Sequence, residues 1–390
     1  MEQFTQLDDL RAQMAEALSG PGSDYKTPRL ATDKWVMASD LQKAIRRGHL
    51  DLARSMAVNL LEVDRQMLWR RLQVTAFEDI GMVDLLVAAQ VVAATDGNWR
   101  RHVGGDRKVI LYLVERMCRA PKDRSTDLLM VLVDCSLDYE PDRQRLAGAD
   151  LSALIDIVTD ATASLPMRGI AAWYAAGAPR FPPTRLAHRK GDLGALFTGY
   201  QRLQVPGAFL EVSRVAARRL REPLPVYAPL VWSVFRKSKE RSIEPFGLAP
   251  KPIVHSVPVY ALDEHTRLGR KALRLFLAAN KEVQTYLETH MPTGSRLEAI
   301  NIAHFYVEGV EVDRQMTWDL SEELKTRGAE ADVGRSGLDR AAIPGLLKVI
   351  QDNLEHLDRI RLGLLEEMAS AGQNELFNTP TSGTGSRGGL

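Results

Sequence analysis

Residues 39–84 read SDLQKAIRRGHLDLARSMAVNLLEVDRQMLWRRLQVTAFEDIGMVD. Ser39 or Asp40 can cap a helix carrying Leu41, Ala44 and Ile45, which ends near Gly48, a residue that tolerates the turn at a helix end. A second stripe at helical spacing holds Leu52, Met56, Leu60 and Leu61. A third, over about 64–77, holds Met67, Leu68, Leu72 and Val74. Such helices bury their apolar stripes against one another, so the stretch predicts antiparallel helices with short turns.

The same pattern extends along the 390-residue chain. Apolar helices are predicted over 1–18 (Phe4, Leu7, Leu10, Met14 and Leu18 on one face), 84–94, 107–119, 125–137, 149–163, 165–177, 193–221 and 226–240. They resume over 264–289, near 297–307, and over 313–327 and 343–369. Only 242–262 departs from helix. Pro245, Pro250, Pro252 and Pro258 with the run PIVHSVPVY read as extended chain. The fold class expected is mostly α, a multi-helix array whose second helical domain contains this short extended segment. Expected boundaries are 1–29 for an N-terminal helix and linker, 30–180 for a first helical domain, 181–370 for a second, and 371–390 for a disordered, low-complexity tail. The Pro-bearing stretch 178–192 marks the internal division.

Apolar residues make up 45% of the chain and charged residues 26%, a balance typical of globular proteins. No apolar run is long enough to cross a bilayer, so no membrane partner is expected. Cys118 and Cys135 form no disulfide framework and no metal knuckle, which points to a reducing cytoplasm. Net charge is +1, so a nucleic-acid surface would have to come from local clusters. His255, His265, His290 and His304 lack paired metal-ligand spacing, and no GxSxG elbow occurs. Neither a metal nor a cofactor is expected. One octapeptide nearly repeats, EVDRQMLW at 62–69 and EVDRQMTW at 311–318. Both copies read as helix starts, with Asp at the cap and Met and Trp facing a core.

Within the opening stretch, Arg70-Arg71-Leu72, Ala76 and Glu78-Asp79-Ile80-Gly81, preceded by Lys43, Arg46, Asp51 and Ala53, resemble a known region. It is the helical collar of MgsA/RarA-type clamp-loader-like AAA ATPases of replication and recombination. The resemblance covers about residues 39–84. It implies a collar-like domain at 30–180, work beside DNA, and possible homo-oligomers. The chain departs from that family in having no GxxxxGK[ST] phosphate loop, so a nucleotide-driven motor is not expected. Locally, Glu78-Asp79 and Gly81 also read as a structural helix end, with Gly81 as a left-handed cap and the carboxylates either capping the next helix or pairing with Arg70 and Arg71.

Candidate chemistry concentrates in 255–274, HSVPVYALDEHTRLGRKALR. An extended, proline-framed segment delivers Tyr260 and then Asp263-Glu264-His265-Thr266 to a helix start, where free N–H groups and the macrodipole favour anions. Arg267, Arg270, Lys271 and Arg274 follow i, i+3, i+4, i+7 spacing and form one basic stripe. Asp263 could stabilise a cationic sugar or activate water, and His265 could donate a proton. The same residues also fit a plain Asp cap with a solvated basic face. A second cluster, Trp99, Arg100, Arg101, Arg107 and Lys108 among glycines, suits phosphate contact plus stacking or wedging, or else a solvated helix connection. Together these expectations describe a metal-independent DNA glycosylase-type hydrolase of repair or phage defence. The alternative is a non-catalytic DNA-binding or assembly protein derived from a collar.

Overall fold

The structure, a computed structural model, describes residues 7–20, 25–30, 32–181, 184–291 and 294–377, with side chains as far as residue 368. Phe4 and the tail beyond residue 377 lie outside the described residues. The rest is an array of α-helices with four short strands, so the fold is mostly α.

Helix Lys34–Arg46 is the central element. Asp33 caps it by accepting from the N–H groups of Trp35 and Val36, and every residue from Val36 to Arg46 is buried. Helices Leu50–Val63 and Arg65–Thr75 pack against it and against each other, and Asp64 caps the latter through Met67 N–H. The expected third helix then changes pitch. Residues Ala76–Ile80 form a π-helical turn closed by Gly81 N–H donating to Ala76 O at 2.9 Å. A π turn inserts an extra residue and redirects side chains, which is why such turns recur at functional sites. Here Glu78 and Asp79 turn inward to Arg46 and Arg124, whereas Arg70 pairs with Glu222 and Arg71 donates to Gln42. The expected Glu78-Asp79 pairing with Arg70 and Arg71 is therefore replaced by longer-range partners.

Apolar side chains form two clusters. The first runs from Leu10 to Leu262 and also takes in Met316, Trp318, Leu324 and Leu365; the second runs from Ala272 to Leu364. The division expected at 178–192 falls inside the first cluster. Phe181 and Leu186 are buried there, Arg185 N–H donates to Asp134 at 2.7 Å, and Asp192 N–H donates to Ala175 O at 2.8 Å. Packing changes cluster near the extended segment 242–262, which supplies β1 (Arg241–Pro245), β2 (Ile253–Val254) and β3 (Val257–Pro258).

The repeated octapeptide adopts two conformations. Its first copy caps and begins helix Arg65–Thr75. The second forms β4 (Arg314–Trp318), which pairs antiparallel with β1, Ile243 opposite Met316. The helix expected over 313–327 therefore starts only at Ser321. Backbone groups of Lys122 decide this: its N–H donates to Arg314 O and its C=O accepts from Met316 N–H, both at 2.8 Å. Ladder bonds from two sides outweigh a weak local helix preference.

Gly81 has φ +57° and ψ −125°, a conformation essentially confined to glycine, and a Cβ there would meet Asp123 O at 3.3 Å. Gly81→Ala should lower unfolding stability by about 1–3 kcal/mol in a denaturant titration, while the far-ultraviolet helical signal of the folded state is retained.

Candidate functional site

The side chains that helix Lys34–Arg46 turns away from the apolar cores, Ser39, Gln42, Lys43 and Arg46, line a cleft of about 610 Å³. Cavities of 300–1,000 Å³ commonly hold a small ligand. Its walls come from the π turn (Glu78), helix Ser125–Cys135 (Asp127, Asp134), the turn after residue 220 (Arg221, Glu222), residues 263–265 with Arg270, the 305–306 region, and helix Ser321–Gly334 (Asp332, Arg335). Seven Asp and Glu side chains face six Lys and Arg, so the cleft is not a simple phosphate groove. Trp35, 54% exposed, lines it, as do Trp173 and Phe305.

A buried ionic cluster shapes the floor. Arg46 Nε lies 2.6 Å from Asp79 Oδ1 and its Nη2 lies 2.5 Å from Glu78 Oε1. Arg124 reaches Glu78 at 3.0 Å, Asp127 at 2.5 Å, and also Asp79. Gln42 Nε2 donates to the other Asp79 oxygen at 2.9 Å. Phe305 lies under both guanidiniums, 5.7 Å from Arg46 and 5.2 Å from Arg124. Three carboxylates thus share two guanidiniums. Burial works against ionisation of Glu78, but Arg46 and Arg124 bring its carboxyl down to about 2. Asp127 is the surplus acid: burial, opposed by Arg124, pushes it up to about 7.

Asp263 is buried and does not face the cleft as a free acid. Its carboxylate is ion-paired with Lys43, accepts from Ser39 Oγ at 2.9 Å, and takes the N–H of His265 at 2.9 Å. Burial opposes ionisation, yet the Lys43 ammonium holds the carboxyl far below the usual range. Neither is Asp263 the helix cap. Thr266 caps Arg267–Ala279 by accepting Gly269 N–H at 2.9 Å, and its hydroxyl donates to Asp263 O at 3.0 Å. Asp263 thus holds Lys43 and the turn that leads into helix Arg267–Ala279. A carboxylate neutralised by an adjacent ammonium offers little free charge to a reacting centre.

His265, the other expected catalytic residue, does reach the cleft. Its ring is 72% exposed, and Nε2 lies 3.2 Å from Glu264 Oε1. The hydrogen bond to Glu264 raises its pKa, and desolvation opposes the rise. The second Glu264 oxygen is buried with no hydrogen-bond partner among the described residues. Glu264 is thus a carboxylate that the sequence reading passed over between two more conspicuous neighbours.

The binding residues divide. Arg267, Arg270, Lys271 and Arg274 form an exposed stripe, because Gly269, Ala272, Leu273 and Phe276 take the buried face. Only Arg270 of the four lines the cleft, where its Nη1 donates to Glu264 O at 3.1 Å. Lys271 approaches Glu367 at 3.5 Å. Tyr260 cannot stack on a ligand base as expected: it is 1% exposed, under the Arg47 guanidinium at 4.2 Å, with its hydroxyl 3.1 Å from His49 Nδ1.

The second cluster lies outside the cleft lining. Residues Gly97–His102 form a short helix, and Trp99 packs against the first apolar cluster, so it is not a projecting wedge. Arg100 is buried over Trp69 at 4.1 Å and bonded to Asp106 at 2.7 Å. Arg101 bonds to Asn98, Arg107 to Tyr25 O at 2.6 Å, and Lys108 to Gly20 O at 2.8 Å. Local charge density there serves mainly to tether neighbouring backbone. Both cysteines are buried, and burial pushes both thiols up to about 12, leaving them poor nucleophiles.

Two measurements follow from these geometries. Asp263→Asn leaves Lys43 buried without its counter-charge and should destabilise the fold by about 3–5 kcal/mol, whereas replacing both residues by Leu and Met should recover much of the loss in the same denaturant assay. Asp127 has a folded pKa above its unfolded value, so its contribution is most favourable at low pH and is lost as pH rises towards about 7. Asp127→Asn should therefore match wild type near pH 4 and melt at a higher temperature than wild type at pH 8, as read by calorimetry. Comparison of the chain with protein-family models, curated proteins and solved structures finds no match.

Proposed function

We propose that the cleft is the active site of a metal-independent hydrolase of the N-glycosylase type. It removes a modified or damaged base from a flipped nucleotide of DNA in repair or phage defence. The observation that carries this reading is one wall of the cleft. It sets the exposed His265, paired with the mostly buried Glu264, beside Arg270 in a cavity that also holds the exposed indole of Trp35. A cavity of about 610 Å³ accommodates a base and its sugar. Trp35 offers the π face on which an extruded base stacks. Arg221 and Arg270, both exposed, suit phosphates left outside, while Glu78 and Asp127 lie deeper. The choice of DNA rests on the collar resemblance of residues 39–84.

In this reading, His265 in its imidazolium form protonates the leaving base as the C1′–N bond breaks and the base takes the bonding electrons. Glu264, the carboxylate beside His265, faces the cationic sugar as it forms. Water then adds its oxygen to C1′, and its proton restores the imidazolium.

A second reading, a DNA-binding assembly protein, is favoured by the exposed arm formed by β1 and the chain after it. Ile243, Phe246 and Ile253 are each at least half exposed there. It would show oligomers in light scattering and salt-sensitive DNA binding without product.

The test incubates the purified chain with plain and base-modified DNA and reads abasic sites by alkaline strand cleavage. Wild type should release base from at least one substrate, and His265→Gln and Glu264→Gln should each slow release by about 100-fold or more while retaining the wild-type circular dichroism. Absence of product on every substrate, or a His265→Gln variant as fast as wild type, rejects the reading.

A further inference from the structure

Behind Glu264 lies a second histidine in a setting that fixes its proton. His304 is 1% exposed, at the end of helix Arg296–His304. Its Nε2 lies 2.6 Å from Arg361 Nη2. A guanidinium has only N–H donors and stays charged, so this nitrogen must present its lone pair. The nearby Glu308 Oε2, 3.2 Å from the same nitrogen, is then not its hydrogen-bond partner. Both atoms accept from Arg361, whose Nη1 reaches Glu308 Oε2 at 2.6 Å. Neutral His304 consequently carries its proton on Nδ1.

That Nδ1 is buried and has no hydrogen-bond partner among the described residues, and the same holds for Glu264 Oε2. The two unpartnered atoms face each other at 3.9 Å. An approach of about 1 Å turns this contact into an N–H···O bond and satisfies both groups at once. Catalytic hydrogen bonds are often long before a ligand closes the site.

We propose that His304 is a positioning residue: held in its Nδ1–H form by Arg361, it secures the inner oxygen of Glu264 and so aims the outer oxygen at His265. The proposal rests on the reading of the cleft as an active site with His265 as its proton carrier. With Glu264 held at both oxygens, His265 keeps Nε2–H towards Glu264 and turns Nδ1 to the cleft. This assigns one nitrogen to orientation and the other to proton transfer.

The other charged groups around this line are already engaged. Lys43, from helix Lys34–Arg46, holds Asp263; Arg270 donates to the main-chain oxygen of Glu264; Asp332 pairs with Arg335 at 2.9 Å. Lys251 ties Glu308 to Asp358, at 2.8 Å from each. Arg361 also reaches Asp358 at 3.1 Å, so its guanidinium is fixed from two sides. His304 is the ring whose tautomer connects this buried ionic group to the cleft.

Two nuclear magnetic resonance readings test the proposal, and neither needs a substrate. In the unmodified chain, ring nitrogen spectra should show His304 protonated at Nδ1; protonation at Nε2 overturns the proposal. In a pH titration, with His265 assigned by its loss in His265→Gln, Glu264→Gln should lower the His265 midpoint, and His304→Phe should lower it in the same direction by less. A His265 midpoint unmoved in a folded His304→Phe chain overturns the proposal, because a merely structural histidine leaves the distant ring's titration unchanged. If His304→Phe does not fold, the tautomer in the unmodified chain decides. Failure of DNA hydrolysis would remove the glycosylase reading without altering either spectrum.

Discussion

Two guanidiniums shared among three carboxylates constrain the rest of the molecule. Arg46 and Arg124, both nearly inaccessible, bring together helix Lys34–Arg46, the π turn at 76–80 and the start of helix Ser125–Cys135. Arg46 also donates to Gly309 O at 2.6 Å and Arg47 to Glu308 O at 2.9 Å, which draws in the second π turn, Phe305–Gly309. Burying charges is expensive, and the expense is offset only when geometry is good and the remaining donors are satisfied. Such a cluster tolerates few alternative arrangements of the elements that supply it. The cleft lies beside it because polar side chains that cannot enter an apolar core need a common space.

The two π turns have a shared consequence. The first aims Glu78 and Asp79 at the guanidiniums, and the second sets Phe305 beneath those guanidiniums and Glu308 against Arg361. An α-helical continuation would carry these side chains to other directions, since a π turn differs by one residue per hydrogen-bonded ring. The site is therefore built from helix irregularities together with the proline-framed segment that leads to Asp263. Lys43 anchors that segment through Asp263, and Thr266 starts the next helix. Glu264 and His265 fall between these two anchors, and this brings them to the cleft.

Much of the helix array could be read from spacing. Leu41, Ala44 and Ile45, and then Met56 and Leu60, recur at the 3.6-residue period and are buried where expected. The departure of 242–262 from helix was likewise legible in its four prolines, each of which removes a helix hydrogen bond and crowds the preceding turn. The candidate site was legible only in part. The tetrapeptide 263–266 does lie at the cleft, and Arg270 lines it, but which carboxylate is neutralised depends on Lys43, 220 residues away. Trp35 carried no local signal that separates an exposed indole at a cleft from a core residue. Trp99 and Arg100 looked like surface recognition because charge and glycine cluster in sequence, yet both pack inward.

The repeated octapeptide separates the two kinds of information. Sequence alone placed the Trp of each copy towards a core, and both are buried, Trp69 at 7% and Trp318 at 5% exposure, one in a helix and one in a strand. It also determined the mostly α class, since periodicity is a local property. Only the tertiary structure decided that 314–318 is strand, where the spacing predicts helix as it does at 65–75. Lys122 and β1 offer the second copy backbone partners that no stretch of eight residues can encode. The same holds for the site: helical faces follow from spacing, whereas ion pairs, orphaned oxygens and histidine tautomers depend on side chains brought together from distant parts of the chain.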